Sequence, residues 1–179
     1  MKLEDLLRER KEKVLKRWFR HVVKTYPGET ARFLLSEKNP FDNPVGSNIL
    51  KGIEEVLDQL TSGQAIDTVN PFIERMVRIR AVQDFRPSEA VAFVFSLKDI
   101  VAEELGNEAQ KKEFHDEMAA LDRRIDSLAL LVFDAYTNSR EKVCEIKLNE
   151  VKNRVARLLK RANLLAELEE DTDGEDVHH

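Results

Sequence analysis

An internal disulfide is excluded from this chain, because its 179 residues include a single cysteine, Cys144. The same count excludes a cysteine-rich metal site and fits a reducing compartment. Glycine and proline are scarce, with 6 and 5 residues gathered in a few clusters, and alternating strand-like runs are missing. That leaves long amphipathic helices. The most apolar run, Ala90 to Leu97, is too short and too closely followed by Lys98 and Asp99 to span a bilayer. The opening MKLEDLLRERKEKVLK has no apolar signal core, so no membrane insertion is expected and the cytoplasm is the expected compartment. Outside the final pair, His178 and His179, the histidines are His21 and His115, neither in a metal-type spacing. HExxH, a glycine-rich phosphate loop, GxSxG and a kinase signature are all absent. Catalysis, a metal and a cofactor are therefore not expected. A net charge of -5 gives no general case for nucleic-acid binding.

What is present centres on the stretch from Asn70 to Leu105. Asn70 followed by Pro71 is a helix start: a capping side chain, then a ring whose missing N–H would be orphaned anyway. At 100° per residue, Phe72, Ile73, Met76, Val77, Ile79 and Ala81 share one broad arc, and Arg80 and Gln83 fall inside it. A guanidinium on a core face is costly unless carboxylates or carbonyls meet it. Three readings of Arg80 follow: its stem snorkels to water, it belongs to a polar cluster lining an internal site, or it forms a structural ion pair. Pro87 then breaks the helix and Ser88–Glu89 open another. That next helix reads as apolar almost all the way round, hence covered on both sides.

Before this pair, an amphipathic helix is expected over residues 3–26, with Trp18 on its stripe. Lys11 interrupts that stripe and suggests that the first turns project past the core. Its opposite face is basic (Arg8, Arg10, Lys13, Lys16, Arg17, Arg20) and reads as solvated surface. One or two further turns cover residues 29–35. The two Asn–Pro steps in NPFDNPVG then describe a stiff turn, with Phe41 and Val45 plugging it into the core. A helix follows over residues 47–60.

After Gly106–Asn107 a very long helix starts near Glu108. Asp122 and Asp126 lie at the edge of its stripe and are the carboxylates best placed for Arg80, with Arg123 and Arg124 as competing partners. No glycine or proline interrupts the chain from Asn107 to Asp173. Beyond Tyr136, Cys144, Leu148, Val151, Val155, Leu158, Ala162 and Leu165 alternate spacings of four and three, a coiled-coil seam. A second copy is the economical partner. Unbroken to Leu168, such a helix would be roughly 90 Å long at about 1.5 Å per residue. The last residues are acidic and are expected to be disordered.

Several segments together resemble the RsbRD N-terminal sensor domain of the RsbT co-antagonist proteins of the stressosome. They are Trp18, Tyr26-Pro27, Asn43-Pro44-Val45-Gly46, Arg78 to Phe85 with Pro87-Ser88, Leu97-Lys98, and Arg124-Ile125-Asp126 through Phe133-Asp134-Ala135-Tyr136 to Arg140-Glu141. The resemblance covers about residues 6–150. It implies a globin-like, haem-free fold that dimerises and continues its last helix as a linker into an output domain, commonly a STAS domain. The sequence agrees on haem, since no histidine lies between His21 and His115. It departs in that the sequence ends after the seam, so a free-standing sensor or adaptor is expected here.

The resulting expectation is an all-α protein: a globin-like helical bundle whose long C-terminal helix extends into a dimeric coiled coil. Residues 1–140 form the sensor domain, 141–168 the helical linker and 169–179 an acidic tail. Trp18, Arg80, Gln83 and Asp126 are the candidate sensory or ligand region. The function expected is non-catalytic regulation by a homodimer that signals to a downstream protein through its last helix. The alternatives are a structural adaptor without a ligand, a small-molecule-binding globin-like protein, or a nucleic-acid binder using the basic first helix and residues 152–161.

Overall fold

The structure, a computed structural model, describes residues 2–36, 41–63 and 66–173, with side chains to Asn163. Six α-helices follow one another: α1 (Leu3–Lys24), α2 (Gly28–Ser36), α3 (Pro44–Thr61), α4 (Pro71–Val82), α5 (Pro87–Leu105) and α6 (His115–Asp173). Two 3-10 turns, Gly106–Gln110 and Lys112–Phe114, connect α5 to α6. The protein is all-α, with no strand among the described residues. It divides into two compact units, Met1–Arg140 and Glu141–His179.

In the first unit α1 packs on α2, α3 and α5, α3 packs on α4, and α4 on α5. Three helix starts are written into the sequence as X–Pro steps, and each closes through a side chain. Asn43 accepts the Gly46 N–H at 2.8 Å and donates to the Leu34 carbonyl at 3.1 Å. Asn70 accepts the Ile73 N–H at 2.9 Å and donates to the Gly52 carbonyl at 3.0 Å. Glu89 reaches back to the Arg86 N–H at 3.1 Å. These bonds satisfy donors that the first turn of a helix otherwise leaves orphaned.

The structure corrects four expectations. The turn before α3 is not plugged by Phe41 and Val45, which are exposed; the buried residue is Asn43. A polar side chain with two backbone partners holds that turn more economically than an apolar plug. The first turns of α1 do not project past the core, since Leu3, Leu6 and Leu7 are buried. Lys11 is accommodated on the stripe because Asp58 and Glu54 of α3 meet its ammonium at 2.7 and 3.1 Å. Helix α5 is not covered all round: Ala92 and Phe95 face outward, and the buried residues keep a one-sided spacing through Phe93, Val94, Leu97 and Val101. Finally, α6 begins at His115 rather than near Glu108, because Lys111 is extended and the buried Phe114 anchors the short 3-10 turn before it.

In the second unit the seam residues Cys144, Leu148, Val151, Val155, Leu158 and Ala162 are all exposed. The four larger apolar ones retain between 48% and 58% of their accessible surface. Leu165 lies outside the residues whose side chains are described. Of the expected tail, residues 169–173 are helical in backbone and residues 174–179 lie outside the described residues.

Candidate functional site: a buried arginine beneath the α4–α5 corner

Arg80 occupies the last turn of α4 and is entirely buried. Its partners are not carboxylates, so neither a water-seeking stem nor an ion pair with Asp122 or Asp126 accounts for it. The guanidinium donates to the Ala90 carbonyl at 3.1 Å, to the Glu89 carbonyl at 3.5 Å and to the Thr25 hydroxyl at 2.7 Å. The Thr25 hydroxyl donates in turn to the Val22 carbonyl at 2.6 Å. Three aromatic rings surround the cation, with centroids 4.9 Å (Phe93), 5.4 Å (Phe85) and 5.6 Å (Tyr26) from its central carbon. Ring faces carry negative electrostatic potential and favour a cation held there. Arg80 Nε still lacks a hydrogen-bond partner. Burial pushes the guanidinium below its ordinary value, while the neighbouring Tyr26 pulls the other way.

The corner that roofs Arg80 holds one residue with a positive φ. Asp84 adopts φ 57°, the left-handed region that a side chain enters at a cost of roughly 1–2 kcal/mol. Helix α6 holds this corner from outside. Arg140 bonds the Asp84 carboxylate and also donates to the Ala81 carbonyl at 2.8 Å, while Tyr136 donates its hydroxyl to the Phe85 carbonyl. Beside the corner lies an open pocket of about 500 Å³ lined by Thr25, Gln83, Asp84, Phe85, Glu89 and Ala92.

The four residues named from sequence occupy different settings. Trp18, fully buried, donates its indole N–H to the Phe93 carbonyl at 2.7 Å, and the two rings stack with centroids 6.4 Å apart. Phe93 is thus shared between Trp18 and Arg80. Gln83 is not on the buried arc; it is exposed at the end of α4 and lines the pocket. Asp126 stands apart, paired with Lys98 at 2.7 Å. Sequence reasoning gave no role to Thr25, Phe93 or the carbonyls of Glu89 and Ala90. Backbone acceptors leave no trace in residue identity, although the aromatic density around residues 85–95 was available as a signal.

Among the described residues no group of three or more His, Cys, Asp or Glu side chains could hold a metal ion. Among the same residues, no helix is long and apolar enough to cross a membrane. The basic face of α1 is partly engaged within the fold. Arg10 donates to the Glu104 carbonyl at 2.9 Å, and Arg17 pairs with Glu103 and Glu104.

The family model of the RsbT co-antagonist protein rsbRD N-terminal domain matches residues 12–150. The chain belongs to that family. Within the matched span lie Trp18, the whole Arg80 cluster and both clasping residues, Tyr136 and Arg140. The chain is also similar to an uncharacterized protein from Archaeoglobus fulgidus, at 24% identity over 143 residues, covering 78% of this chain and 83% of that protein. No solved structure matches it. Membership in the rsbRD N-terminal domain family carries with it the regulatory, sensor-type character of that domain.

Proposed function

We propose that this protein is a haem-free, globin-like cytoplasmic sensor. It works as a homodimer and passes a signal along α6 to a downstream protein. One observation carries the reading: the residues that roof Arg80 are the same residues that α6 grips. Phe85 covers the guanidinium with its ring and gives its carbonyl to Tyr136, and Asp84 beside it binds Arg140. A change at the Arg80 cluster therefore has a direct route into the last turns of α6 before Glu141. A signal shifts the domain between two packings only if it prefers one of them, and a pocket beside the cluster offers the place for that preference.

Dimerisation rests on the exposed heptad seam from Cys144 to Leu158, which loses its contact with water when two copies pair. Light scattering on the purified protein tests it, with a mass of two copies expected and a mass near 20.7 kDa counting against the reading. Mild oxidation adds the orientation. In a parallel, in-register coil the two Cys144 thiols face one another and form a disulfide-linked dimer, and the Cys144→Ser variant does not. A Soret band after haem addition would replace the haem-free reading with a haem-binding one.

A further inference from the structure

We propose that the pocket between the end of α1, the α4–α5 corner and the first turns of α5 binds a small organic monocarboxylate, whose charge compensates Arg80. The inference rests on the sensor reading above and names the chemical class of the signal. A buried guanidinium normally requires an anion, and leaving it without one is costly. Here it has none among the described residues, and Nε has no partner at all. Carbonyls, a hydroxyl and ring faces supply partial compensation only.

Arg80 is fully buried and does not itself line the pocket, but three of the lining residues touch it. Thr25, Phe85 and Glu89 line the pocket and also touch the guanidinium, by hydroxyl, ring and carbonyl respectively. A carboxylate oxygen that replaces the Thr25 hydroxyl at the terminal nitrogen converts a neutral acceptor into a charged one and strengthens the bond. The pocket also dictates the rest of the molecule. Phe85 and Ala92 offer apolar surface for a carbon body. Asp84 and Glu89 also line the pocket, their carboxylates engaged elsewhere, the first with Arg140 and the second with the Arg86 N–H. Their charge opposes a dianion such as phosphate far more than a singly charged carboxylate. A neutral ligand, in turn, gains nothing from Arg80. Occupancy bears on Asp84 and Phe85, the two residues that α6 holds.

The chain carries its own reporter, since Trp18 is its one tryptophan and shares Phe93 with Arg80. Titrating the full chain with benzoate and propionate, and separately with benzamide, propionamide and inorganic phosphate, reads binding through Trp18 emission and thermal stability. At least one carboxylate should give a saturable response, with its amide and phosphate weaker by about tenfold or more. Arg80→Met should erase the preference for carboxylate over amide. No saturable response to either carboxylate overturns the proposal, as does equal binding of acid and amide; both are read on the unmodified protein and need no variant to fold. Retained preference in Arg80→Met overturns it as well. The transmission reading fails separately: Tyr136→Phe should bind carboxylate as before, and the light-scattering result stands whatever the titration gives.

Discussion

Tyr136 donates its hydroxyl to the backbone carbonyl of Phe85, so the buried tyrosine of α6 is fastened to the residue whose ring covers Arg80. The bond spans 51 positions of sequence and joins α6 to a corner that already holds an unfavourable backbone at Asp84. Replacing Tyr136 with phenylalanine keeps the packed ring and leaves the carbonyl without this donor. The expected loss is about 1–2 kcal/mol in urea unfolding, the usual cost of stranding a partly buried acceptor. Arg140→Met should weaken the same corner, and the pair should be non-additive because both hold one turn. Additive losses would mean that Tyr136 and Arg140 act on separate structures.

How far the sequence discloses this fold depends on what kind of interaction is at work. Asn70–Pro71, Asn43–Pro44 and Pro87 announced their helix starts because capping is local chemistry. The positions of Trp18 and Arg80 on buried faces followed from helical period. Arg80's partners did not, because they are two carbonyls, a hydroxyl 55 positions away and ring faces. The expected carboxylates went elsewhere, Asp126 to Lys98. Lys11 misled for a related reason: a cation on an apolar stripe looks like the end of the core until Asp58 and Glu54 arrive from another helix. The exposed seam of α6 is where periodicity speaks most clearly, and the exposure of a single chain there is what a partner would remove.

Gly52 marks where α3 and α4 come closest. A Cβ added there would lie 2.5 Å from the Cβ of Phe72, an atom fixed to its own backbone and unable to swing aside. Gly52→Ala should therefore destabilise the protein, by up to about 2 kcal/mol, because overpacking outweighs the gain of about 1 kcal/mol in helix propensity. Gly28→Ala is the matched control, since a methyl group there would meet nothing within 4 Å. That variant should be neutral or more stable by about 0.5 kcal/mol. Thermal unfolding followed by circular dichroism separates the two, and an unchanged melting point for Gly52→Ala would contradict the close approach.

Asn43 does two jobs at one buried position, accepting from Gly46 and donating to Leu34. Asn43→Asp preserves the acceptor for the helix start but removes the donor to Leu34. Asn43→Ala removes both. The alanine variant should lose about 2 kcal/mol or more in urea unfolding, a cap plus a stranded carbonyl, and the aspartate variant should fall between it and the parent. Equal losses for the two would assign all of the effect to the Leu34 bond.

Lys11 gives the fold a dependence on alkaline pH. Its ammonium bonds to Asp58 and Glu54, and the Asp58 hydrogen bond, with Glu54 adding to it, holds the lysine above its ordinary value near 10.5 in spite of some desolvation. A folded value above the unfolded one means that the folded state binds the proton more tightly. The contribution is then complete below 10.5 and disappears as pH rises through the raised folded value. Because the side chain keeps 29% exposure, the pair contributes no more than about 1 kcal/mol. Comparing the parent with Lys11→Met isolates this lysine, since every other group titrates in both. The parent should be the more stable at neutral pH, and the difference should shrink once the pH passes the lysine's folded value. A difference that holds constant across that range would show that the methylene stem of Lys11, and not its charge, stabilises the contact between α1 and α3.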